Sequence, residues 1–287
     1  IALTMTWQPR GELPRLVRFM PVLSEVYQRV IVVLPPTVEA SLLEALEKLG
    51  INTVVSSEWS GGRYLALHTA LETGAALIHY ADLDRLVHWV ETREAEWRRS
   101  VGMLNQADCV CFGRTPMAYA THPRALIETE ATSNRVISQL LGRTMDVGAG
   151  SKGFSRKAAA FLDANTQPGA SMGMDAAWLL LLNRAGYQIK YVAVDGLDWE
   201  LADAYRMEAA DAETQRQAAA AYDADASHWE WRVKVADEVV QTGLRAANQP
   251  VETKWLNPNA HFEVEDYLHF YLPNLTEERT ECFSGFL

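Results

Sequence analysis

Two aspartates separated by a single residue, Asp82 and Asp84, are the side chains of this sequence best placed to do chemistry. They end a short apolar run, 75–81, that is typical of a strand buried inside a parallel sheet. Open α/β sheets bind ligands at the carboxyl ends of their strands, and a hard divalent cation needs only one or two carboxylates when phosphates supply other oxygens. The pair therefore indicates a metal–diphosphate site. The competing interpretation is a solvated loop in which one aspartate caps the next helix.

A second candidate is the segment Gly61-Gly62-Arg63, which leads into a predicted helix at 63–73. Glycines at a helix start let backbone N–H groups approach a phosphate, and an arginine adds a charged fork. The competing interpretation is an ordinary turn. The sequence has neither a G-x-G-x-x-G fingerprint after its first strand nor a phosphate loop ending in Gly-Lys-Ser/Thr.

The elements that must position these groups alternate between strand and helix. Apolar runs predict strands at 1–6, 30–34, 51–55, 75–81, 108–112 and 188–194. Helical spacing predicts helices at 13–26, 38–49, 63–73, 86–104, 123–141 and 157–165, and one beginning near Asp175, with Pro21 expected to end or kink the first. The glycine-rich segment 146–156 is not predicted as a strand. The pattern predicts an α/β fold with a mainly parallel sheet, right-handed crossovers and helices on both faces.

The character of the chain changes near Glu200. Two long helical patterns follow at 201–222 and 227–247, and a tail from Gln249 contains prolines, scattered aromatics and acids. We therefore expect one domain at 1–200 and a helical C-terminal extension at 201–287, whose tail wraps over the surface.

Composition narrows the function classes. The chain has 287 residues and 48% hydrophobic content. Its formal net charge of -11 argues against a general nucleic-acid binder, because phosphate contacts need clustered Lys and Arg. No apolar run approaches the roughly 20 residues of a membrane span, and no signal-peptide pattern opens the sequence. Three cysteines are too few for a disulfide framework, and Cys109 and Cys111 are expected to be small buried residues on one strand face. We expect a cytoplasmic protein, and its oligomeric state stays open.

The order of the motifs resembles family 2-type glycosyltransferases with the GT-A nucleotide-sugar fold. The similar segments are 61–68, 77–84, 148–156 and 172–191, and the ordered correspondence covers about 1–194. The resemblance implies a Rossmann-like GT-A domain with a mixed, mainly parallel sheet flanked by helices. It also implies a nucleoside diphosphate sugar donor, a hydroxyl acceptor and Mn²⁺ or Mg²⁺.

The same resemblance implies roles for individual residues. Asp84 is similar to the principal metal ligand, and Asp82 to the partner that contacts ribose or metal. Arg63 is similar to the arginine that contacts the nucleotide, while Thr6 and Trp7 stand where the family's loop cradles the base. The sequence departs from the family pattern at Pro35-Pro36, where many members carry an acid, and it lacks the Gln-x-x-Arg-Trp motif of processive synthases.

Two residues keep alternative interpretations. Asp175, at a helix start, is either a helix cap or the general base of an inverting transfer, and both roles are compatible. His228 is either a surface residue near a helix cap or a third metal ligand, as in some relatives. His79 is expected to be a core histidine, and Trp229 and Trp231 are expected to pack, although aromatic side chains also stack on sugars.

The sequence therefore predicts a metal-dependent glycosyltransferase that moves a sugar from a nucleoside diphosphate sugar to an acceptor hydroxyl. One alternative is a catalytically degenerate GT-A-like domain that binds a nucleotide or a partner. The other is a haloacid-dehalogenase-type phosphatase, whose Asp-x-Asp normally follows the first strand.

Overall fold

The computed structural model describes residues 1–169 and 171–250. Within these ranges, strands β1 to β7 form one sheet in the order β3-β2-β1-β4-β6-β5-β7. Every neighbouring pair is parallel except those of β6, which runs antiparallel to β4 and β5. The strands are β1 Ala2–Thr6, β2 Arg29–Leu34, β3 Asn52–Val55, β4 Leu77–Asp82, β5 Cys109–Arg114, β6 Ser151–Ser155 and β7 Ile189–Val194. The predicted α/β class with a mainly parallel sheet is confirmed.

Helices cover both faces of this sheet, as the alternation of strand and helix predicts. They are α1 Leu13–Val26, α2 Ala40–Lys48, α3 Gly62–Glu72, α4 Leu83–Val101, α5 Pro116–Tyr119, α6 Arg124–Leu141, α7 Arg156–Asn165, α8 Met174–Arg184, α9 Ala212–Ala224 and α10 Ala226–Asn248. Helix α1 spans the predicted range and continues past Pro21 to Val26, so this proline does not end the helix.

Strand residues alternate between two hydrophobic cores, because successive side chains of a strand point to opposite faces. Ile31 and Val33 of β2 face a core built with α3, α6, α7, α8 and α10, whereas Val32 faces a core built with α1, α2 and α4. Cys109 and Cys111 are both buried in the first of these cores, as expected. The helical extension is therefore not separate from the sheet, since Val239 of α10 packs in the same core.

Strand β6 was not predicted, because its sequence Ser-Lys-Gly-Phe-Ser is polar and contains a glycine. Tertiary packing explains the difference. A Cβ at Gly153 would lie 2.0 Å from Leu104 Cδ2, so a larger residue there would require the buried Leu104 side chain to move. Lys152 is fully buried and paired with an acid, so its charge does not exclude it from a central strand.

The predicted helix at 201–222 is wrong in its first half. The chain instead makes a 3₁₀ turn at Glu200–Asp203 and starts α9 at Ala212, where Asp211 caps the helix by accepting from Thr214 N at 2.8 Å. Asp203 interrupts the helical pattern because its carboxylate is turned inward, where it accepts from Ala210 N at 2.7 Å. The tail prediction for 251–287 lies outside the described residues. In the described part of the chain, no helix is both long and apolar enough to cross a membrane.

Candidate active site at the carboxyl ends of the strands

A cavity of about 680 Å³ opens at the carboxyl ends of β1, β2 and β4. This is the edge at which open α/β sheets bind their ligands. Its lining residues are Thr6, Gln8, Arg10, Val33, Leu34, Pro35, Ser56, Trp59, Gly62, Arg63, Asp82, Asp84, Arg85, Ser171, Met172, Glu200, Leu201, Ala204, Tyr222, His228, Trp231 and Arg232.

Asp82 ends β4 and is surrounded by donors. The register of β1 and β4 pairs Thr6 with Asp82, so the Thr6 hydroxyl donates to Asp82 Oδ1 at 3.1 Å. The Tyr80 hydroxyl donates to the same oxygen at 2.7 Å, and Arg63 Nη2 donates to both oxygens at 3.1 and 3.2 Å. Burial opposes ionisation, but Arg63 and Arg85 outweigh it and hold the pKa of Asp82 below its usual value. The carboxylate is therefore ionised and already engaged.

Arg63 lies in the first turn of α3 and links Asp82 to a deeper acid. Its Nη1 donates to Asp175 Oδ2 at 2.5 Å, and its Nε donates to the Tyr80 hydroxyl at 2.8 Å. Burial lowers the pKa of the guanidinium, but Asp175 and Asp82 raise it well above its usual value. Most donors of Arg63 are thus occupied within the protein.

Asp175 lies in the first turn of α8, but its side chain is buried beneath the cavity instead of lining it. One oxygen pairs with Arg63 and the other accepts from Lys152 Nζ at 2.5 Å. Burial lowers the pKa of Lys152, and Asp175 more than restores it. The N-cap of α8 is Gly173, without a side-chain cap, so the geometry gives Asp175 neither the cap position nor a free carboxylate oxygen.

Asp84 lies two residues beyond Asp82, in the first turn of α4, and has far fewer partners. Its Oδ1 accepts from Arg85 N at 2.9 Å, and its Oδ2 lies 3.4 Å from Arg10 Nη1. Burial raises the pKa of Asp84 to about 7, and the neighbouring charges of Glu200 and Asp82 add to this effect.

Glu200 is a cavity residue that sequence reasoning missed. Its Oε1 accepts from Arg85 Nε at 3.1 Å, while its Oε2 is buried and has no hydrogen-bond partner among the described residues. Arg85 also donates from Nη1 to Gly148 O at 2.8 Å. No pattern marks Glu200 in the sequence, because the non-helical turn that brings it to the cavity depends on contacts remote in the chain.

A buried histidine fixes that turn against α4. His88 lies 2.6 Å from Asp203 Oδ2 through Nδ1 and 2.8 Å from Asp198 Oδ1 through Nε2. Arg15 Nη2 pairs with Asp203 at 2.8 Å. Burial lowers the pKa of His88, but hydrogen bonds to the two aspartates outweigh it and raise the pKa to about 9. The segment that carries Glu200 is therefore held at both ends by a charged side chain.

Helices α9 and α10 supply the opposite wall of the cavity. His228 Nδ1 donates to Tyr222 O at 2.9 Å, and the two rings stack with centroids 3.8 Å apart. Trp231 lines the cavity and is half-exposed, so the expectation that it packs is not met. Trp229 is held against the chain by a hydrogen bond from its Nε1 to Asp223 O at 2.9 Å. Across 1–169 and 171–250, no group of three or more His, Cys, Asp or Glu side chains is arranged to hold a metal ion.

The family resemblance assigns Thr6 and Trp7 to binding of the nucleobase, but the two side chains lie in different surroundings. Thr6 lines the cavity, but Trp7 is buried and its Nε1 donates to Glu12 Oε2 at 2.9 Å. The exposed aromatic side chain at that end of the cavity is Trp59. His79 is a core histidine between Tyr27 Oη at 2.6 Å and Ser151 Oγ at 2.9 Å, as expected, and burial lowers its pKa to about 3.

Two solved structures similar to this chain are those of glucosyl-3-phosphoglycerate synthase from Mycobacterium tuberculosis. The complex with Mn²⁺, UDP-glucose and phosphoglyceric acid has a TM-score of 0.53 and 14% identity, over 87% of this chain and 80% of that chain. A second structure of that enzyme has a TM-score of 0.52 and 14% identity, over 87% of this chain and 81% of that chain. No family model and no curated protein matches the sequence.

These likenesses, together with the order and direction of the strands, identify the fold. The chain has the GT-A fold of nucleotide-diphospho-sugar transferases, as its motif order predicts. At this identity the likeness concerns the fold, so the activity has to be argued from the site.

Proposed function

We propose that this protein is a metal-dependent glycosyltransferase, which moves a sugar from a nucleoside diphosphate sugar to an acceptor hydroxyl. The observation that carries the proposal is the carboxyl-end cavity of a GT-A fold that contains the Asp82–Arg63 pair and the under-partnered Asp84. The similar solved enzyme contains UDP-glucose and Mn²⁺, which is consistent with a donor of this class.

The cavity offers distinct surroundings for the two parts of such a donor. The apolar side chains Val33, Leu34 and Trp59 would accommodate the nucleoside near the ends of β2 and β3. The diphosphate would lie toward Arg85 and Arg10, whose cationic groups reach the same cavity. The acceptor would enter from the side of α9 and α10.

The carboxylates fit a hard divalent cation, Mn²⁺ or Mg²⁺. Such ions prefer oxygen ligands and need few from the protein when a diphosphate supplies the others. Asp84 offers a cavity-lining carboxylate whose Oδ2 has only a long contact to Arg10, so Asp84 is the member of the pair that would hold the ion. When bound, the cation would supply charge neutralisation for the leaving diphosphate.

The chain's own side chains would orient the donor around that charge. Asp175 holds Arg63 and Lys152 from below, and we assign it a positioning role because both of its oxygens are already in ion pairs. A general base must be within reach of the proton it removes. Asp175 is buried and does not line the cavity, which favours the positioning role over the role of general base.

A binding-only protein is the alternative that a specific observation favours. Asp82 is saturated, and no cluster of three or more potential metal-binding side chains lies in the described ranges. The phosphatase alternative has no such support, because the aspartates follow the fourth strand of a GT-A sheet instead of its first strand.

A thermal-shift panel of UDP-, GDP- and ADP-sugars, each with Mn²⁺, Mg²⁺ or chelator, tests the proposal. A ligand at 100 times its dissociation constant stabilises the folded state by about 2.7 kcal/mol. We expect one donor to stabilise the protein only with metal, and slow metal-dependent hydrolysis of that donor in the absence of acceptor. Binding without any turnover would favour the binding-only protein, and no binding of any donor would contradict both.

A further inference from the structure

Glu200 carries an unexplained atom. Its side chain is 6% exposed, and Oε2 is buried without a hydrogen-bond partner among the described residues. A buried carboxylate oxygen without a donor is costly, because burial removes its water without replacing it. The observation indicates that a group absent from the chain completes this oxygen.

The fold brings Glu200 and Asp84 to the same cavity. Asp84 and His88 are four residues apart on α4 and therefore share one face of the helix. His88 contacts Asp198 and Asp203, so the turn between them lies along that face. Arg85 Nε reaches Glu200 Oε1 at 3.1 Å, which fixes Glu200 near the start of α4. Two carboxylates from remote parts of the sequence thus line the same cavity.

Asp82 differs from both of these acids. It accepts hydrogen bonds from Thr6, Tyr80 and Arg63, and a Cβ at Gly150 would lie only 2.3 Å from its Oδ2. A cation bound to Asp82 would have to displace Arg63 or enter against the Gly150 backbone. By contrast, Asp84 Oδ2 has only a long contact to Arg10, and Glu200 Oε2 has no donor among the described residues.

We propose that Glu200 and Asp84 are the protein ligands of a divalent cation, and that Asp82 is a positioning residue that holds Arg63. The inference rests on the proposed function, which supplies the diphosphate for the remaining ligands. Two carboxylates suffice for such a site when phosphate oxygens and water complete the coordination.

The test measures Mn²⁺ affinity directly, from the electron paramagnetic resonance signal of free Mn²⁺ titrated with protein. Titrations are made with Mn²⁺ alone and with UDP, GDP or ADP present. The variants are Glu200→Gln, Asp84→Asn and Asp82→Asn. The amide oxygen of Glu200→Gln still accepts from Arg85, so we expect this variant to fold, and circular dichroism checks that it does. Glu94→Gln is the control, because Glu94 also accepts from an arginine, Arg98 Nε at 2.7 Å, but does not line the cavity.

Glu200→Gln and Asp84→Asn are each expected to weaken Mn²⁺ binding by at least about 10-fold, since even indirect partners of a metal contribute about 10–100-fold to affinity. Asp82→Asn should weaken Mn²⁺ binding less than either, and Glu94→Gln should leave it unchanged. Unchanged Mn²⁺ affinity in Glu200→Gln overturns the inference while leaving the proposed function intact, even if that variant has lost turnover. If the unmodified protein binds no Mn²⁺ with any of the three nucleotides, the metal dependence of the proposed function fails as well.

Discussion

The two aspartates of the Asp82-x-Asp84 motif lie equally deep but in opposite chemical surroundings. Their side chains are 17% and 18% exposed, so burial does not distinguish them. Asp82 has three donor side chains, and its pKa is lowered because Arg63 and Arg85 outweigh burial. Asp84 accepts from one backbone N–H, that of Arg85, and from one side chain, Arg10, at the long distance of 3.4 Å. Burial, followed by the charges of Glu200 and Asp82, raises the pKa of Asp84 to about 7.

One short motif is therefore divided between two structural roles. Asp82 is the last residue of β4 and joins a closed network with Arg63, Asp175 and Lys152. The chain turns into α4 at the next residue, so Asp84 points away from that network toward the cavity. We call Asp82, Arg63, Asp175 and Lys152 the closed network, and Asp84 the open carboxylate.

The largest effect should come from breaking the closed network at Asp175. Asp175→Ala leaves Arg63 and Lys152 buried without this partner, and removal of one member of a buried ion pair costs about 3–5 kcal/mol. Urea unfolding at neutral pH measures the loss. Asp175→Asn should cost less, because the amide oxygen still accepts one hydrogen bond. A loss below about 1 kcal/mol for Asp175→Ala would show that the network does not contribute as its geometry indicates.

The second effect concerns the histidine that holds the Glu200 turn. The folded pKa of His88 is about 9, above its ordinary value of 6.5. The charged His88 therefore stabilises the folded state fully below the unfolded pKa of 6.5. This contribution declines as the pH rises and is lost above about pH 9. Free energies of unfolding measured from pH 6 to pH 10, on the order of five points, should show this decline in the parent and a flatter profile in His88→Gln. Parallel profiles for the two proteins would contradict the assignment.

A third, opposite effect is expected at the open carboxylate without metal. Asp84 binds its proton more tightly in the folded state, so its ionisation costs stability as the pH rises from 3.8 to about 7. Asp84→Asn cannot ionise, and at pH 8 it should be more stable than the parent in chelator. The control is Asp163→Asn, which removes a carboxylate outside the cavity. A less stable Asp84→Asn at pH 8 would show that Asp84 is stabilised by its present partners.

The smallest effect is expected at Trp231. Because this side chain is half-exposed at the cavity, Trp231→Ala should change stability by no more than about 0.5 kcal/mol. Trp7→Ala, by contrast, empties a buried site and should cost about 3–5 kcal/mol. Equal losses for the two tryptophans in thermal unfolding would contradict their placement.

The sequence predicted the elements and site residues that local residue patterns determine. Apolar runs located six of the strands, and the strand-to-helix junction after β4 located Asp82 and Asp84. Strand β6 was missed because its formation depends on Leu104 packing against Gly153 and on an ion pair for Lys152. Neither condition has a local signature.

The same limit applies to the site. Arg63 was identified from its glycine-started helix, yet its partner Asp175 comes from a helix more than a hundred residues later in the chain. Glu200 was missed because His88 and its two aspartates hold a turn where periodicity predicts a helix. Trp7 comes directly after Thr6, the last residue of β1, but its indole turns into the protein toward Glu12.

In the proposed function, the open carboxylate binds the metal ion that also binds the diphosphate of the sugar nucleotide. Isothermal titration of UDP-, GDP- and ADP-sugars, with Mn²⁺ and with chelator, tests it in the unmodified protein, in Asp84→Asn and in the Asp163→Asn control. We predict that one donor binds only with Mn²⁺, that Asp84→Asn abolishes this metal-dependent binding with its fold intact, and that Asp163→Asn retains it. Donor binding that is indifferent both to chelator and to Asp84→Asn would contradict the account.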